Sequence, residues 1–326
     1  MTREIDSLLK PISAETPCGE DLEDTQLLAG FDAYHLFGND TPLPPDTPWR
    51  DIRQKSDEAL EKSRDLRLLA HLSAALVRTE GLAPFCSALT VMDRWLTERW
   101  DLVFPRVAED ALLRKNALNS FADRMAVVDG LRRAPIVSHR QLGSYSLRDV
   151  ELASGQLKPT EADTKPPNTA QVEAALSGTA VDELSALATT VGAAVNALRN
   201  VAATMQTRGG FESAPDLDPL LKPLSRIEKL LGEHLASRGA AGVAADSARS
   251  AGGETAVTGA VTSRQDAVRS IDAAATFFRN NEPSSPVPLF LDRAKRLVSK
   301  SFLEVLQDIA PDTLTEVKKI SGVKSE

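Results

Sequence analysis

Cys18 stands between Pro17 and Gly19, in a turn that could present a thiolate as a nucleophile. That chemistry needs a base within hydrogen-bond reach of the sulfur, and the local sequence places no histidine there. A turn-packing role asks for less. Cys86, beside Phe85, reads as a small buried hydrophobe. The four histidines, His35, His71, His139 and His234, form no H-E-x-x-H and no ligand cluster. His71 lies in an apolar run and His234 at a seam position near a helix end, so both read as structural. No G-x-x-x-x-G-K-S/T or G-x-G-x-x-G loop is present to cradle a phosphate. Arg64–Asp65–Leu66–Arg67 has two readings: a docking cluster for a partner, or a helix start with Asp65 at the positive end of the dipole. Trp49, after a proline loop, is either a core plug or an exposed anchor. No catalytic residue, cofactor or metal site emerges, so an enzyme with an unrecognised all-α active site stays an outlying class.

These residues sit in a chain of 326 residues with a formal net charge of −8. The length predicts two or three domains. The acidic balance argues against non-specific nucleic-acid or anionic-membrane binding, which needs basic patches. Two cysteines are too few for a disulfide framework or a zinc site. The opening residues hold no apolar core of signal-peptide length, and no window approaches ~20 consecutive apolar residues. The expected location is cytoplasmic, without membrane insertion.

The periodicity predicts an all-α chain. Residues 1–48 are punctuated by Pro, Gly and Asp. Between Ser63 and Thr79 apolar residues occupy most of the circumference, which predicts a central helix started by Ser63 and ended by Gly81. Phe85, Ala88, Leu89, Met92, Trp95 and Leu96 form a one-sided stripe. Two further helices are predicted around Ala111–Arg124 and Ala126–Arg133, completing a helical bundle over 1–155. Gly155, Pro159, Pro166 and Pro167 mark a linker at 156–168. Over 169–237, Leu184, Leu187, Val191, Ala194, Leu198, Val201 and Met205 form a heptad seam. Leu217, Leu220, Leu224, Ile227, Leu231 and His234 form another. Gly209–Gly210 between them suits an antiparallel helical hairpin; an intermolecular coiled coil is the alternative. Residues 238–262, rich in Gly, Ala, Ser and Thr, read as a flexible linker spanning about 25–30 Å.

The remaining segment, 263–326, is short. Thr262 and Gln265 have capping-box spacing. Ala267, Ile271, Ala274 and Phe278 make one stripe, and Phe290, Ala294, Leu297 and Val298 a second. Phe302, Val305, Leu306 and Ile309 make a third. Between the first two, Glu282–Pro283 stops one helix and Ser285–Pro286 starts the next. So few short helices are marginal alone, which predicts oligomerisation. Arg293, Lys295 and Arg296 form a basic face, either solvated or a salt-bridge rim between subunits.

This C-terminal corner, an aromatic pair and Arg-Asn-Glu-Pro leading into Ser-Ser-Pro-Val-Pro and a Leu/Arg-rich helix, resembles the TssA (ImpA-type) proteins of bacterial type VI secretion systems. Leu9–Ser13, Pro17–Leu22, Ser63–Arg67, Gly81–Leu82, Trp95–Leu96, Trp100–Asp101, Phe104–Pro105, Arg114–Leu118 and Ala134–Pro135 resemble the ImpA N-terminal domain in the same order. The resemblance implies a short-type protein whose C-terminal domain builds a homo-oligomeric ring. The ring would organise baseplate, sheath and tail-tube components and catalyse no reaction. A distal cap for sheath polymerisation is the alternative. On this reading, candidate ring-interface residues are Phe278, Glu282, Pro283, Pro286, Phe290, Arg293 and Leu297. Candidate partner-docking residues are Trp49, Arg64, Asp65 and Arg67.

Overall fold

The computed structural model describes residues 5–107, 110–160, 163, 165–249, 264–281 and 286–297. The chain divides into two units, 1–238 and 239–326.

The first unit is built around a hydrophobic helix pair. α3 (Leu66–Thr79) is buried on nearly every face, with Leu66, Leu68, Leu69, Leu72 and Leu76 fully enclosed. Asp65, not Ser63, caps it: the Asp65 backbone is extended and its carboxylate accepts from the Arg67 N–H. The helix ends where Gly81 turns to φ +89° and donates its N–H to Leu76 O at 3.0 Å. α4 (Leu82–Glu98) follows at once, and its stripe from Phe85 to Leu96 lies wholly in the core. Each such side chain contributes about 1.5–3 kcal/mol by leaving water. Before this pair, α1 (Gln26–Ala29) and α2 (Trp49–Leu60) wrap it, and α2 packs along α3.

α5 (Leu112–Asn119) leads through a 3-10 turn and a single π-helical turn into α6 (Asp129–Arg133). Asp123 caps the π turn, accepting from the N–H groups of Met125 and Ala126.

Here the all-α expectation needs correction. β1 (Pro135–His139) and β2 (Gly143–Ser146) form an antiparallel ribbon. Ile136 and Val137 are buried, and Gly143 takes φ +98° on leaving the turn. The fold is mostly helical with one two-stranded sheet among the described residues.

α7 (Leu147–Ala153) starts at a capping box of Ser146 and Asp149. Within 156–168 the described residues are irregular, but Asp163 is tied back by both Nη atoms of Arg148, at 2.5 and 2.7 Å. Asn168 and Gln171 form the capping box of α8 (Thr169–Gly178).

α9 (Val181–Gly209) and α10 (Asp218–Arg249) run side by side within the chain. Ser213 Oγ donates to Met205 O near the loop, a Cβ at Gly192 would lie 3.1 Å from Glu228 Oε1, and Arg238 Nη1 donates to Thr179 O at 2.6 Å. The pairing positions fall on one helix as they rise on the other, which is an antiparallel hairpin. α9 also packs along α4, so a continuous core joins 5–155 to 169–231. The flexible linker expected at 238–262 is helical as far as Arg249, and 250–262 lies outside the described residues.

In the second unit α11 (Arg264–Asn281) and α12 (Val287–Leu297) pack together. The Glu282–Ser285 part of the corner and the stripe of Phe302–Ile309 lie outside the described residues.

Candidate functional site

Three loops of the N-terminal unit meet at the start of α3. Cys18 O accepts from Arg64 N at 2.7 Å, and Glu20 N donates to Lys62 O at 3.0 Å. On the other side Phe104 N donates to Arg64 O, and Leu66 N donates to Phe104 O at 2.8 Å. The Pro17–Gly19 turn and the Phe104 loop thus clamp Ser63–Leu66 by main-chain bonds. Gly19 is obligatory at the clamp: it holds φ +76°, and a Cβ there would sit 2.0 Å from Lys62 O.

Buried cations bind the loops. Arg64 is 2 % exposed and donates to Leu60 O and, at 3.0 Å, to Lys10 O. Arg99 reaches Leu9 O, and Trp95 Nε1 donates to Leu8 O at 3.1 Å. Arg114 is fully buried, with its Nε 3.0 Å from Pro105 O and its Nη2 2.8 Å from Val103 O. Burial pulls the Arg114 pKa down to about 10. Its guanidinium lies 4.5 Å from the Trp100 ring, and that of Arg208, from α9, lies 4.9 Å from the same ring. Trp100 therefore links α5 and α9 through two cation–π contacts.

The four expected docking residues do not form one surface. Arg64 and Asp65 are interior, and the Asp65 carboxylate is held by Arg67 Nη2 at 2.7 Å. Arg67 and Trp49 keep partial exposure. Arg67 also pairs with Glu23, while Trp49 packs on the core under the Arg78 guanidinium at 4.7 Å.

The thiols and the core histidine have no catalytic setting. Burial raises the Cys18 pKa despite opposing charges from Arg99 and Arg64, and it pushes Cys86 up to about 12. His71 packs between Phe31 and Phe37, tilted to one ring and edge-on to the other with centroids 4.8 Å away in each case, and burial lowers its pKa. Among the described residues no group of His, Cys, Asp or Glu could hold a metal ion. No helix among them is long and apolar enough to cross a membrane.

The second unit presents a different chemistry. Phe277, Leu289 and Phe290 are 57 %, 73 % and 67 % exposed. Phe278 is half-buried, edge-on to Phe277 with centroids 5.6 Å apart. Pro286 and Arg293 are exposed. Glu282 and Pro283 lie outside the described residues, as does the side chain of Leu297. Arg279 pairs with Asp292 at 2.5 Å and Lys295 with Asp272 at 2.6 Å, so Lys295 of the expected basic face is matched within the chain. Sequence patterning missed the outward position of Leu289 and the buried arginines. Among the arginines, the signal available was a charged residue amid apolar neighbours, as at Arg114.

Residues 9–123 match the family model described as ImpA, N-terminal, type VI secretion system. The chain is 28 % identical over 347 aligned positions to the type VI secretion system component TssA1 of Pseudomonas aeruginosa, covering 98 % of each. Among solved structures, the N-terminal domain including the conserved ImpA_N region of the TssA component from Burkholderia cenocepacia superposes with a TM-score of 0.55. That match has 23 % identity and covers 72 % of this chain and 94 % of the other, which speaks to the fold. The chain's motifs for that domain assemble around the start of α3, residues 9–123 carry the ImpA N-terminal region of the type VI secretion system, and its similarity to a TssA component of that system runs end to end.

Proposed function

We propose that this chain assembles through residues 263–326 into a homo-oligomeric ring that organises baseplate, sheath and tail-tube components in the cytoplasm, without catalysing a reaction. The observation that carries this reading is the inverted balance of α11 and α12. Three large apolar side chains, Phe277, Leu289 and Phe290, are exposed, while the small Ala275 and Pro288 are the apolar side chains buried among the described ones. Surface of that kind is stabilised by burial against a neighbour. A head-to-tail contact with rotational closure gives a ring. The interface would include Phe278, Pro286, Phe290 and Arg293, with Glu282, Pro283 and Leu297 from the same corner. End-to-end similarity to a type VI secretion component supports the same assignment.

Light scattering and negative-stain microscopy of the full chain test it. The wild type should be a defined ring. Leu289→Asp with Phe290→Asp should give smaller species with unchanged helical circular dichroism, since both positions are exposed. A monomeric wild type, or rings persisting in the double variant, would contradict the proposal.

A further inference from the structure

A groove of about 410 Å³ runs along Pro135–Ser138 in the N-terminal unit. Among the described residues β1 has a strand neighbour on one edge only, namely β2. The groove is bounded elsewhere by the start of α4 and the N-terminal half of α9. Four strand residues give it a length of about 13 Å.

Its chemistry has three components. The apolar one comes from Leu82, Ile136, Leu184 and the half-buried Leu187. The charge is of one sign: Glu80 and Glu183 are the ionisable residues lining the groove. Glu80 is shared with Arg53 Nε at 2.6 Å, whereas Glu183 stands exposed in the first turn of α9. Third, the helices of 17 and 29 residues that begin here lack side-chain caps at Gly81 and Ala180. Their first-turn N–H groups have no side-chain acceptor.

A single kind of ligand uses all three. An extended peptide places its main chain along a strand edge, and its carbonyl groups suit the uncapped N–H groups. Alternate side chains then point toward the apolar lining and toward the rim, because successive residues of a strand face opposite ways. With Glu80 matched by Arg53, the exposed Glu183 carboxylate at the rim favours Lys or Arg there and disfavours Asp or Glu. A helical ligand would satisfy its own main chain and leave the strand edge and helix starts unused.

We propose that this groove binds an extended segment of a partner protein in which apolar residues alternate with Lys or Arg. Nothing in the proposed ring formation bears on it, because no part of the groove belongs to residues 263–326.

Fluorescence anisotropy with the full chain decides the matter, using two labelled peptides of equal length, one alternating Val with Lys and one alternating Val with Glu. The Val/Lys peptide should bind saturably, one per chain, and release as salt is raised. The Val/Glu peptide should not bind. Glu183→Lys should weaken binding by roughly tenfold or more, and Leu187→Asp should do likewise by spoiling the apolar lining. Glu183→Gln, a milder change at an exposed position, should weaken it measurably and keeps the test valid if the first variant fails to fold. A benzophenone on the Val/Lys peptide should crosslink to residues 135–138 or 183–190. Absence of saturable Val/Lys binding, equal binding of both peptides, undiminished binding by the folded Glu183 variants, or crosslinks confined elsewhere would each overturn the proposal.

Discussion

Glu151 of α7 and Arg226 of α10, 75 positions apart in the chain, meet at 2.6 Å across the N-terminal unit. The Glu151 carboxylate is 5 % exposed and also takes a hydrogen bond from Arg132. One buried acid thus ties α6, α7 and α10 together. The pairing is charge-assisted on both sides, which roughly doubles the strength of each bond.

Glu151→Gln should therefore cost about 1–3 kcal/mol, while Arg226→Ala should cost below about 1 kcal/mol. Arg226 is largely solvated, and Arg132 still holds the other carboxylate oxygen, Oε2. Denaturation also reports on the core itself. All three tryptophans, Trp49, Trp95 and Trp100, lie before α9. If 5–231 is one cooperative core, tryptophan fluorescence and helical circular dichroism from that unit should lose structure together. A fluorescence transition well separated from the loss of α9 and α10 protection in hydrogen exchange would show two independent bodies.

The two arginines on Trp100 should differ sharply. Arg114→Met removes three hydrogen bonds from a fully buried guanidinium and leaves the carbonyls of Val103 and Pro105 unmatched. It should cost about 3 kcal/mol or more. Arg208→Met removes a solvated contact and a 3.7 Å ion pair with Asp101, and should stay within about 1 kcal/mol. Urea midpoints of the two variants provide the comparison.

Neither cysteine should react with a thiol reagent in the native protein near neutral pH. Both are buried, and burial raises both thiol pKa values. In denaturant both should titrate rapidly. Fast native modification of Cys18 would mean that the Pro17–Gly19 turn opens, and hydrogen exchange at Arg64 N should then be fast as well.

Stability should fall mildly as pH drops below about 6.5, the reference value for histidine. The His71 pKa is lowered in the fold by burial, from a reference of 6.5. Below that reference the unfolded chain takes up a proton that the folded chain resists. The contribution is fully present above pH 6.5 and is lost as pH falls toward the folded value. His71→Phe, in an aromatic slot between Phe31 and Phe37, should flatten this part of the profile. A wild-type profile that rises on acidification through the same window would contradict the assignment.

Helical periodicity made α3, α4 and the two seams legible from the chain alone, because their apolar spacing is sustained over several turns. Every member of the Phe85–Leu96 stripe is at most 1 % exposed. The ribbon was not legible. Ile136–Val137 is too short a β-branched run to announce a strand, and its partner carries one aromatic, Tyr145. Arg64 was also misleading, since charge in sequence suggests surface, whereas the reading of Asp65 as a helix-start residue matches its place as the cap of α3. Only the folded chain brings the carbonyls of Leu60 and Lys10 to Arg64. The join between α4 and α9 left no local trace, because each stripe reads equally well as the seam of a separate domain.

The packing of α9 on α4 sets a schedule for synthesis. The ribosome releases α4 with its apolar stripe complete, yet the helix that covers part of that surface follows about 110 residues later. At ordinary elongation rates this is roughly 5–20 seconds of waiting. During that interval the nascent chain carries exposed Leu and Met side chains that chaperones recognise. A polypeptide stopped after the ImpA region would hold that exposure permanently.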